Sequence, residues 1–321
     1  MAGYRAPWWL PGGHLQTLYA ALLARKPRVV YRRQRWDLAD GDFLDLDWVD
    51  GESDKPLLVL FHGLESSSQS HSSRVLMNAL GQRRWRGVVV NFRGCSGTPN
   101  RLARAYHSGD SAEIKMVLTH LKVVAGEQAL YAAGISLGAN ALLKWLGESG
   151  SEAQQLVARA AAVSAPADLA NAGARLDRGF NRYSYTPHFL NTLRRKTLEK
   201  INAHRLPITP QALRAAKTLY AFDNLYTAPM HGFRDADDYW LRASSKPWLN
   251  SIAVPTLIVH AHNDPFLPAS TYLQGVQLST QITLDLPRQG GHVGFVSGPF
   301  PGNLNWLPDR VLNFFSHHQD S

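Results

Sequence analysis

Six short apolar runs, separated in several places by stretches of helical pattern, restrict the fold of this chain more than any other feature. The runs are LLVLF at Leu57 to Phe61, VVV at Val88 to Val90, LYAA at Leu130 to Ala133, AAAV at Ala160 to Val163, TLIVH at Thr256 to His260 and ITLDL at Ile282 to Leu286. Continuous apolar runs of this length are typical of strands that are buried on both faces. Helical patterns lie between some of them, at Ala112 to Val124 and Ala139 to Leu146. Strands that alternate with helices predict an α/β fold with a mostly parallel central sheet flanked by helices.

Two segments ahead of these runs predict an antiparallel edge to the sheet. Gln34 to Leu38 and Phe43 to Trp48 alternate in polarity, and Asp40-Gly41 between them suits a tight hairpin turn.

One long stretch interrupts the rhythm of strands. From about Asp168 to Asn250 no convincing buried strand is present, but helical segments such as Phe189 to Ala203 and Pro210 to Tyr220 are, with many aromatic residues. Because the strand pattern resumes at Thr256, we interpret the stretch as a mainly helical cap inserted at about 168–250. The chain, residues 1–321, is then expected to be a single domain.

The sharpest local motif is G-x-S-x-G at Gly134 to Gly138, which directly follows the run LYAA and opens the helical pattern ANALLKWL. A strand that turns abruptly into a helix holds the central serine in a strained turn, and the flanking glycines give the backbone room for it. Ser136 is therefore predicted to be the catalytic nucleophile.

A serine hydroxyl needs a base and an orienting acid, which follow the nucleophile in the order Ser, Asp, His in such folds. Asp264 comes just after the run TLIVH, and His292 lies in the glycine-rich GGHVGF that follows the last run. We predict Asp264 as the acid and His292 as the base. Asp168, which follows the run AAAV, is the one serious rival to Asp264.

The oxyanion hole is predicted from two main-chain N–H groups. His62-Gly63-Leu64 follows the first apolar run, and this turn directs the next N–H toward the nucleophile. The N–H groups of Leu64 and Leu137 are therefore expected to bind the oxyanion. His62 itself is interpreted as a structural hydrogen-bonding residue.

Taken together, several motifs resemble one known family. They are GISLGAN, HGLESSS, NFRGCSGTPNRLARAYHSGD, HNDPF, GGHVGF and the amino-terminal PWWLPGGHLQT. This combination, which runs from about Pro7 to Phe315, resembles the YheT-type esterases of the AB-hydrolase-4 branch of the α/β-hydrolase superfamily. That branch is related to eukaryotic membrane-anchored acylglycerol lipases and to yeast medium-chain ester synthases.

The resemblance implies the α/β-hydrolase fold and a charge-relay set at Ser136, Asp264 and His292. It also implies a carboxylic ester or acyl-lipid substrate, and we expect short- to medium-chain acyl esters, an acyl-serine intermediate and no cofactor. The same residues allow acyl transfer to an alcohol, as in an ester synthase, or an acylglycerol lipase. A catalytically silent binding protein on the same fold is a further alternative.

Charge and cysteine content bear on partners and location. The net charge of +9 admits a nucleic-acid or anionic-surface binder, but the basic residues are dispersed without interleaved aromatic residues, so we expect a solvated surface and no nucleic-acid partner. The single cysteine fits a reducing compartment, and we expect a cytoplasmic protein without a transmembrane segment. No metal-ligand spacing is present in the sequence.

Two further features admit two interpretations each. Cys95 follows a strand pattern without a G-x-C-x-G motif, which favours a small buried residue over a reactive thiol. The stripe Trp8, Trp9, Leu10 either lines the acyl site or packs on the core, and packing is favoured.

Overall fold

One eight-stranded sheet organises residues 3–272 and 274–316, the part of the chain that the computed structural model describes. Its strands are β1 (Arg32–Asp37), β2 (Phe43–Val49), β3 (Leu57–Phe61), β4 (Arg86–Asn91), β5 (Leu130–Ile135), β6 (Arg159–Val163), β7 (Thr256–Val259) and β8 (Ile282–Asp285). They lie in the order β1-β2-β4-β3-β5-β6-β7-β8. The pairs β1–β2 and β2–β4 are antiparallel, and every other neighbouring pair is parallel. The predicted mostly parallel α/β sheet is confirmed.

The continuous apolar runs arise because the central strands are covered on both faces. Along β3, Leu57, Val59 and Phe61 belong to one apolar cluster, while Leu58 and Leu60 belong to another. All five side chains are fully buried. A strand that supplies two cores has no position where a polar side chain reaches water, so alternation disappears from its sequence.

The predicted antiparallel edge is the hairpin of β1 and β2. Gly41 in the connecting turn has a φ of 87°, in the left-handed region that glycine adopts without strain. Across the hairpin, Arg33 and Arg35 on β1 form ion pairs of 2.7 and 2.9 Å with Asp47 and Asp45 on β2. The two carboxylates are buried, and a buried charge needs such a partner.

Helices cover both faces of the sheet and fill the long segment before β7. In chain order they are α1 (Gly13–Leu22), α2 (His71–Gln82), α3 (Ser111–Ala125), α4 (Leu137–Ser149), α5 (Leu169–Leu176), α6 (Gly179–Tyr183), α7 (Tyr185–His204), α8 (Pro210–Ala215), α9 (Leu219–Phe222), α10 (Ala228–Met230), α11 (Ala236–Ala243), α12 (Ala269–Tyr272) and α13 (Trp306–Ser316). Helices α3 and α4 contain the two helical patterns noted between the strands.

Residues 168–250, all of which the structure describes, contain helices and turns and no strand. Helices α5 to α11 pack around an apolar cluster of their own, which includes Leu190, Leu213 and Phe222. This is the segment interpreted from the sequence as a cap. The predicted domain, 1–321, also includes residues 1–2, 273 and 317–321, which lie outside the described residues.

One helical prediction within this segment is wrong. The stretch Pro210 to Tyr220 is not a single helix, because α8 ends before Ala216, whose ψ of 94° is extended. The hydroxyl of Thr218 then accepts the N–H of Ala221 and begins α9. A threonine that caps its own downstream backbone competes with helix continuation, and here it separates two short helices.

Candidate active site

Ser136 lies on the turn that joins β5 to α4. Its φ and ψ of 52° and −116° are sparsely populated by residues with a side chain. The N–H of Ser136 donates to the carbonyl of Val163 at 2.8 Å, and the N–H of Gly138 donates to the carbonyl of His62 at 3.2 Å. The last residue of β6 and the residue after β3 therefore hold the strained turn in place, and Ser136 lines a cavity.

Space explains both glycines of the G-x-S-x-G motif. A Cβ atom at Gly134 would lie 2.5 Å from the Cα of Ala139, and one at Gly138 would lie 2.4 Å from the carbonyl oxygen of Phe61. Both obstacles are backbone atoms, which cannot move aside without displacing a helix or a strand. The close approach of α4 to β5 and β3 therefore requires glycine on either side of Ser136.

Ser136, His292 and Asp264 form a continuous hydrogen-bonded chain. The Oγ atom of Ser136 is 2.9 Å from Nε2 of His292, and Nδ1 of His292 is 2.8 Å from Oδ2 of Asp264. Because an ionised carboxylate can only accept, Nδ1 carries the proton and Nε2 is left to accept from the serine hydroxyl. The ring of Phe266 packs on the imidazole with a centroid separation of 4.2 Å.

The loop after β7 orients the carboxylate of Asp264. Its Oδ1 atom accepts the N–H of Phe266 at 2.8 Å, which leaves Oδ2 for His292. The side chain is 1% exposed. A second histidine, His260, has Nε2 3.9 Å from Oδ2 but bonds instead to the carbonyl of Leu267 at 2.5 Å. Desolvation lowers the pKa of His260, so this ring is a neutral neighbour.

Asp168, the rival acid, is engaged elsewhere. It caps the amino terminus of α5, where its carboxylate accepts the N–H of Asn171 at 3.1 Å and the side-chain amide of Asn171 at 2.7 Å. It also pairs with Lys246 at 3.2 Å. The structure brings Asp264, and not Asp168, to His292.

Gly63 brings the predicted oxyanion donors close to Ser136. A Cβ atom at Gly63 would lie 3.2 Å from the Cβ of Ser136, so the turn before Leu64 passes directly over the serine. Leu64 and Leu137 line the same cavity as Ser136. Within residues 3–272 and 274–316 neither of their N–H groups donates to a protein acceptor, and Leu137 opens α4, where the helix dipole favours negative charge.

Two polar residues of α1 hold the histidine loop, and the sequence reasoning did not identify them. The side-chain carbonyl of Gln16 accepts the N–H of Gly290 at 2.8 Å, and the hydroxyl of Thr17 accepts the N–H of His292 at 2.8 Å. Gln16 is fully buried and Thr17 is 7% exposed. Both belong to the amino-terminal motif PWWLPGGHLQT. Their place in that motif is the sequence feature that could have identified them.

His62 and Cys95 have surroundings that match their structural interpretation. Nδ1 of His62 bonds to the carbonyl of Gly63 at 2.8 Å and its Nε2 accepts the N–H of Phe92 at 3.1 Å. Burial lowers the pKa of His62 to about 4. Cys95 is buried, and desolvation raises the pKa of its thiol to about 12. Both groups are therefore neutral near pH 7.

The expectation for the amino-terminal stripe holds for two of its three residues. Leu10 is buried in a small cluster with Val75, and Trp9 packs edge-on against Tyr19. Trp8 is 91% exposed, so its predicted core packing is wrong. Trp8 lies in a surface turn before α1, and none of the three residues lines the cavity of Ser136.

The cavity over Ser136 has a volume of about 980 Å³ and lies between the sheet and α5 to α11. Residues that precede α5 or lie within α5 to α11 contribute much of its apolar wall: Pro166, Leu169, Leu176, Phe189, Leu193, Leu219 and Phe222. Apolar walls with a few convergent polar groups are typical of small-molecule sites. The arrangement has room for an acyl chain beside the serine.

The described part of the chain, residues 3–272 and 274–316, contains no cluster of three or more histidine, cysteine, aspartate or glutamate side chains placed to hold a metal ion. Within the same residues no helix combines the length and the apolar character needed to cross a membrane.

Comparisons with known proteins point to one family. The family model described as the alpha/beta hydrolase fold matches residues 56–299. A protein of Escherichia coli (strain K12) named "Putative esterase YheT" is 38% identical, and the match covers 96% of this chain and 91% of that protein. "Phospholipase ABHD3" of Homo sapiens is 28% identical, with 96% of this chain and 76% of that protein covered.

A solved structure resembles the fold. The esterase Pf2001 of Pyrococcus furiosus superposes with a TM-score of 0.58 over 92% of this chain and 97% of that chain, at 18% sequence identity.

Proposed function

The chain belongs to the α/β-hydrolase family, in its YheT-like branch, and on that premise we propose that it is a serine esterase for short- to medium-chain carboxylic esters. The coarser description, a hydrolase of the esterase and lipase type, follows from the relatives. The observation that carries the finer proposal is the hydrogen-bonded chain from Ser136 through His292 to Asp264.

In the first step Nε2 of His292 takes the hydroxyl proton while Oγ of Ser136 attacks the ester carbonyl carbon. The oxyanion that forms is bound by the N–H groups of Leu64 and Leu137, and losing one such donor generally costs ~2.7–4 kcal/mol of transition-state stabilisation. Asp264 stabilises the imidazolium through Nδ1. His292 then gives its proton to the departing alcohol, which leaves an acyl-serine.

In the second step water replaces the alcohol. Nε2 of His292 takes a proton from the water as it attacks the acyl-serine, and the oxyanion forms again in the same place. The proton returns to Oγ of Ser136 as the carboxylic acid leaves. No cofactor enters either step.

The substrate is proposed to be a small-molecule ester or an acyl lipid. The apolar wall of the cavity supports an acyl chain as the buried part, and one relative is named a phospholipase. We propose that residues at about 168–250 act as the cap of a single hydrolase domain and select the acyl group. The single cysteine supports a cytoplasmic location.

Fluorophosphonate labelling followed by hydrolysis of aryl esters tests the proposal. The parent protein and Ser66→Ala, whose serine lines the same cavity, should be labelled and active. Ser136→Ala should be neither labelled nor active. Labelling of Ser136→Ala would assign the nucleophile to another residue, and a labelled parent that turns over no ester would favour a silent binding protein.

Acyl transfer to an alcohol is a second candidate, since the cavity of about 980 Å³ has room for an acyl chain and a second substrate. The same acyl-serine would then be attacked by a bound alcohol in place of water. Product analysis in water–alcohol mixtures separates the two. New ester formed in excess of the alcohol's mole fraction identifies a transferase, and free acid in proportion to water identifies an esterase.

A further inference from the structure

Asp223 places a carboxyl group on the wall of the cavity that holds Ser136 and His292. The residue begins the π-helical turn Asp223–Thr227, between α9 and α10. Turns of this kind are rare and occur frequently at functional sites. The esterase mechanism proposed above does not use this carboxyl group.

The carboxyl group of Asp223 lies among aromatic side chains. Phe222, Tyr226 and Trp240 line the cavity beside it, and Nε1 of Trp240 donates to its Oδ2 atom at 2.8 Å. The neighbouring hydroxyl of Thr227 lowers the pKa of the carboxyl group. A carboxylate has about four lone-pair sites, so the bond from Trp240 leaves acceptor capacity unused.

Because Asp223 lines the cavity, acceptor capacity that the protein leaves unused is within reach of a ligand bound there. Asp223 is half-buried, and desolvation raises its pKa to about 6, with a further rise from Asp177. In the described part of the chain no lysine, arginine or histidine forms an ion pair with it, and an unpaired carboxyl group in such surroundings is costly.

We propose that Asp223 is a substrate-recognition residue, which accepts a hydrogen bond from a hydroxyl or other donor on the substrate, away from the ester that is cleaved. The proposal rests on the esterase function proposed above and narrows its substrate class. The preferred ester carries an apolar segment and a hydrogen-bond donor beyond it. An ester with a methyl group at that place leaves the carboxylate without a partner, and sites built this way reject such analogues.

Two matched series of esters test the proposal, because the carboxylate faces either the acyl or the alcohol part. In one series the acyl chain ends in hydroxyl, methoxy or methyl, and in the other the alcohol chain does. The methoxy group keeps the oxygen atom of the hydroxyl group but cannot donate a hydrogen bond. We expect kcat/KM for the hydroxyl ester of one series to exceed that of its methoxy and methyl counterparts by about 10- to 100-fold.

Variants of Asp223 separate recognition from support of the fold. Asp223→Leu should abolish the hydroxyl preference, so that the hydroxyl, methoxy and methyl esters of that series are cleaved with similar kcat/KM. Asp223→Asn, which keeps an acceptor for Trp240, should lower the preference several-fold because the charge-assisted bond is lost. Asp237→Asn, an exposed aspartate bonded to Tyr220, is the matched control and should leave the preference unchanged.

The pH dependence of the same ratio gives a second readout. Because the pKa of Asp223 is raised to about 6, the hydroxyl preference should fall as the pH is lowered through 6. Asp177 and Tyr239 are the other titratable groups that act on it.

The outcomes distinguish this inference from the proposed function. Equal kcat/KM for the hydroxyl, methoxy and methyl esters of both series, in an active parent, would overturn the role of Asp223 and leave the esterase standing. A hydroxyl preference that persists in folded Asp223→Leu would do the same. Absence of turnover on every ester, together with absence of fluorophosphonate labelling, would overturn the esterase itself.

Discussion

The hydrogen bonds of each candidate acid determine which carboxylate has an oxygen free to accept from His292. In Asp264, Oδ1 takes a backbone N–H and Oδ2 faces the imidazole, whereas in Asp168 both oxygens are occupied at the start of α5. We predict that Asp264→Asn keeps the fold and lowers kcat on an aryl ester by ~10³–10⁴-fold, since the imidazole is left in the wrong tautomer. Asp168→Asn should stay near the parent. A nearly active Asp264→Asn beside a dead, folded Asp168→Asn would reverse the assignment.

The thiol of Cys95 offers no alternative nucleophile. It is buried, and desolvation raises its pKa to about 12. The hydrogen bond that it makes is with Nζ of Lys196 at 3.4 Å, which is a donor and not a base. We predict that Cys95→Ala and Cys95→Ser hydrolyse an aryl ester within a few fold of the parent, with a small loss of stability. Kinetics on variants checked by circular dichroism measure this. Loss of turnover in folded Cys95→Ala would give the thiol a role.

Individual residues differ in how far the sequence predicts them. Ser136 and His292 stand in local motifs whose chemistry is readable over a few positions, and Asp264 follows a buried strand. Gln16 and Thr17 contact a loop more than 270 positions away, and no local pattern indicates such a pairing. The rivalry between Asp264 and Asp168 has the same origin, because each follows an apolar run and only tertiary contacts separate them.

At the scale of elements, the hydroxyl of Thr17 is one of two side-chain groups through which α1 contacts the histidine loop. Thr17 donates to the carbonyl of Gly13 at 2.7 Å and accepts the N–H of His292 at 2.8 Å. In Thr17→Val the second bond is lost, and an orphaned buried N–H costs about 1–3 kcal/mol. We predict that kcat falls about 10-fold or more while KM changes little, because the loop that carries the base shifts. Steady-state kinetics on an aryl ester measure both constants.

Thr119→Val is the matched control for this substitution. Thr119 lies on the exposed face of α3 and makes the same kind of bond, to the carbonyl of Lys115 at 2.8 Å. Its replacement should leave kcat and KM unchanged. An equal fall of kcat in both variants, or no fall in Thr17→Val, would mean that α1 does not position His292.

The cap helices α5 to α11 should set the acyl preference, because their apolar side chains line the cavity beside Ser136. Each CH₂ group that enters an apolar pocket is worth up to ~0.8 kcal/mol. We predict that kcat/KM on aryl esters rises with acyl length up to about fourfold per CH₂, then levels off when the pocket is full. A flat response from about two to ten carbons would exclude an apolar acyl pocket.

The strands are easier to predict from the sequence than the helices of the proposed cap, because burial on both faces determines their residue types. A strand buried on both faces requires an unbroken apolar run, so β3, β5 and β6 are visible in the sequence. The proposed cap consists of short helices whose ends depend on single hydroxyl and carboxylate caps. At Thr218 one hydroxyl cap begins a new helix, and Asp177, at the end of α5, accepts the N–H of Leu219. Periodicity alone does not indicate either contact.

At the scale of the whole molecule, the net charge does not indicate which charged side chains lie on the surface and which are buried. Arg93 is buried and bonds to Asp42 at 2.8 Å and to Glu113 at 2.6 Å, with Asp40 at 2.9 Å. This arginine ties the turn after β1 to the start of α3. The expectation of a solvated basic surface therefore does not extend to every arginine, and the sequence gives no sign of which ones are internal.

Protonation links the buried histidines to the stability of the whole chain. Among the described residues, five strongly desolvated histidines have lowered pKa values, namely His62, His71, His107, His231 and His260. Three carboxyl groups have pKa values raised mainly by desolvation, namely Glu113, Asp177 and Asp223. The two sets act on stability in opposite directions.

We predict that the free energy of unfolding falls as the pH is lowered from about 6.5 towards 4. For a histidine such as His62, whose pKa is about 4 in the folded chain, the unfolded chain binds a proton in this window that the native chain does not, and stability is lost. For Asp223, with a folded pKa of about 6, the native chain binds the extra proton, and stability is gained. The histidines outnumber the carboxyl groups, so the loss of stability should prevail, at about 1.4 kcal/mol per pH unit for each proton of difference.

Urea unfolding at a series of pH values measures this slope. Asp223→Asn removes one group that opposes the loss and should make the slope steeper. Stability that is constant or rises from pH 6.5 to 5 would show that the histidines do not stay neutral in the folded protein.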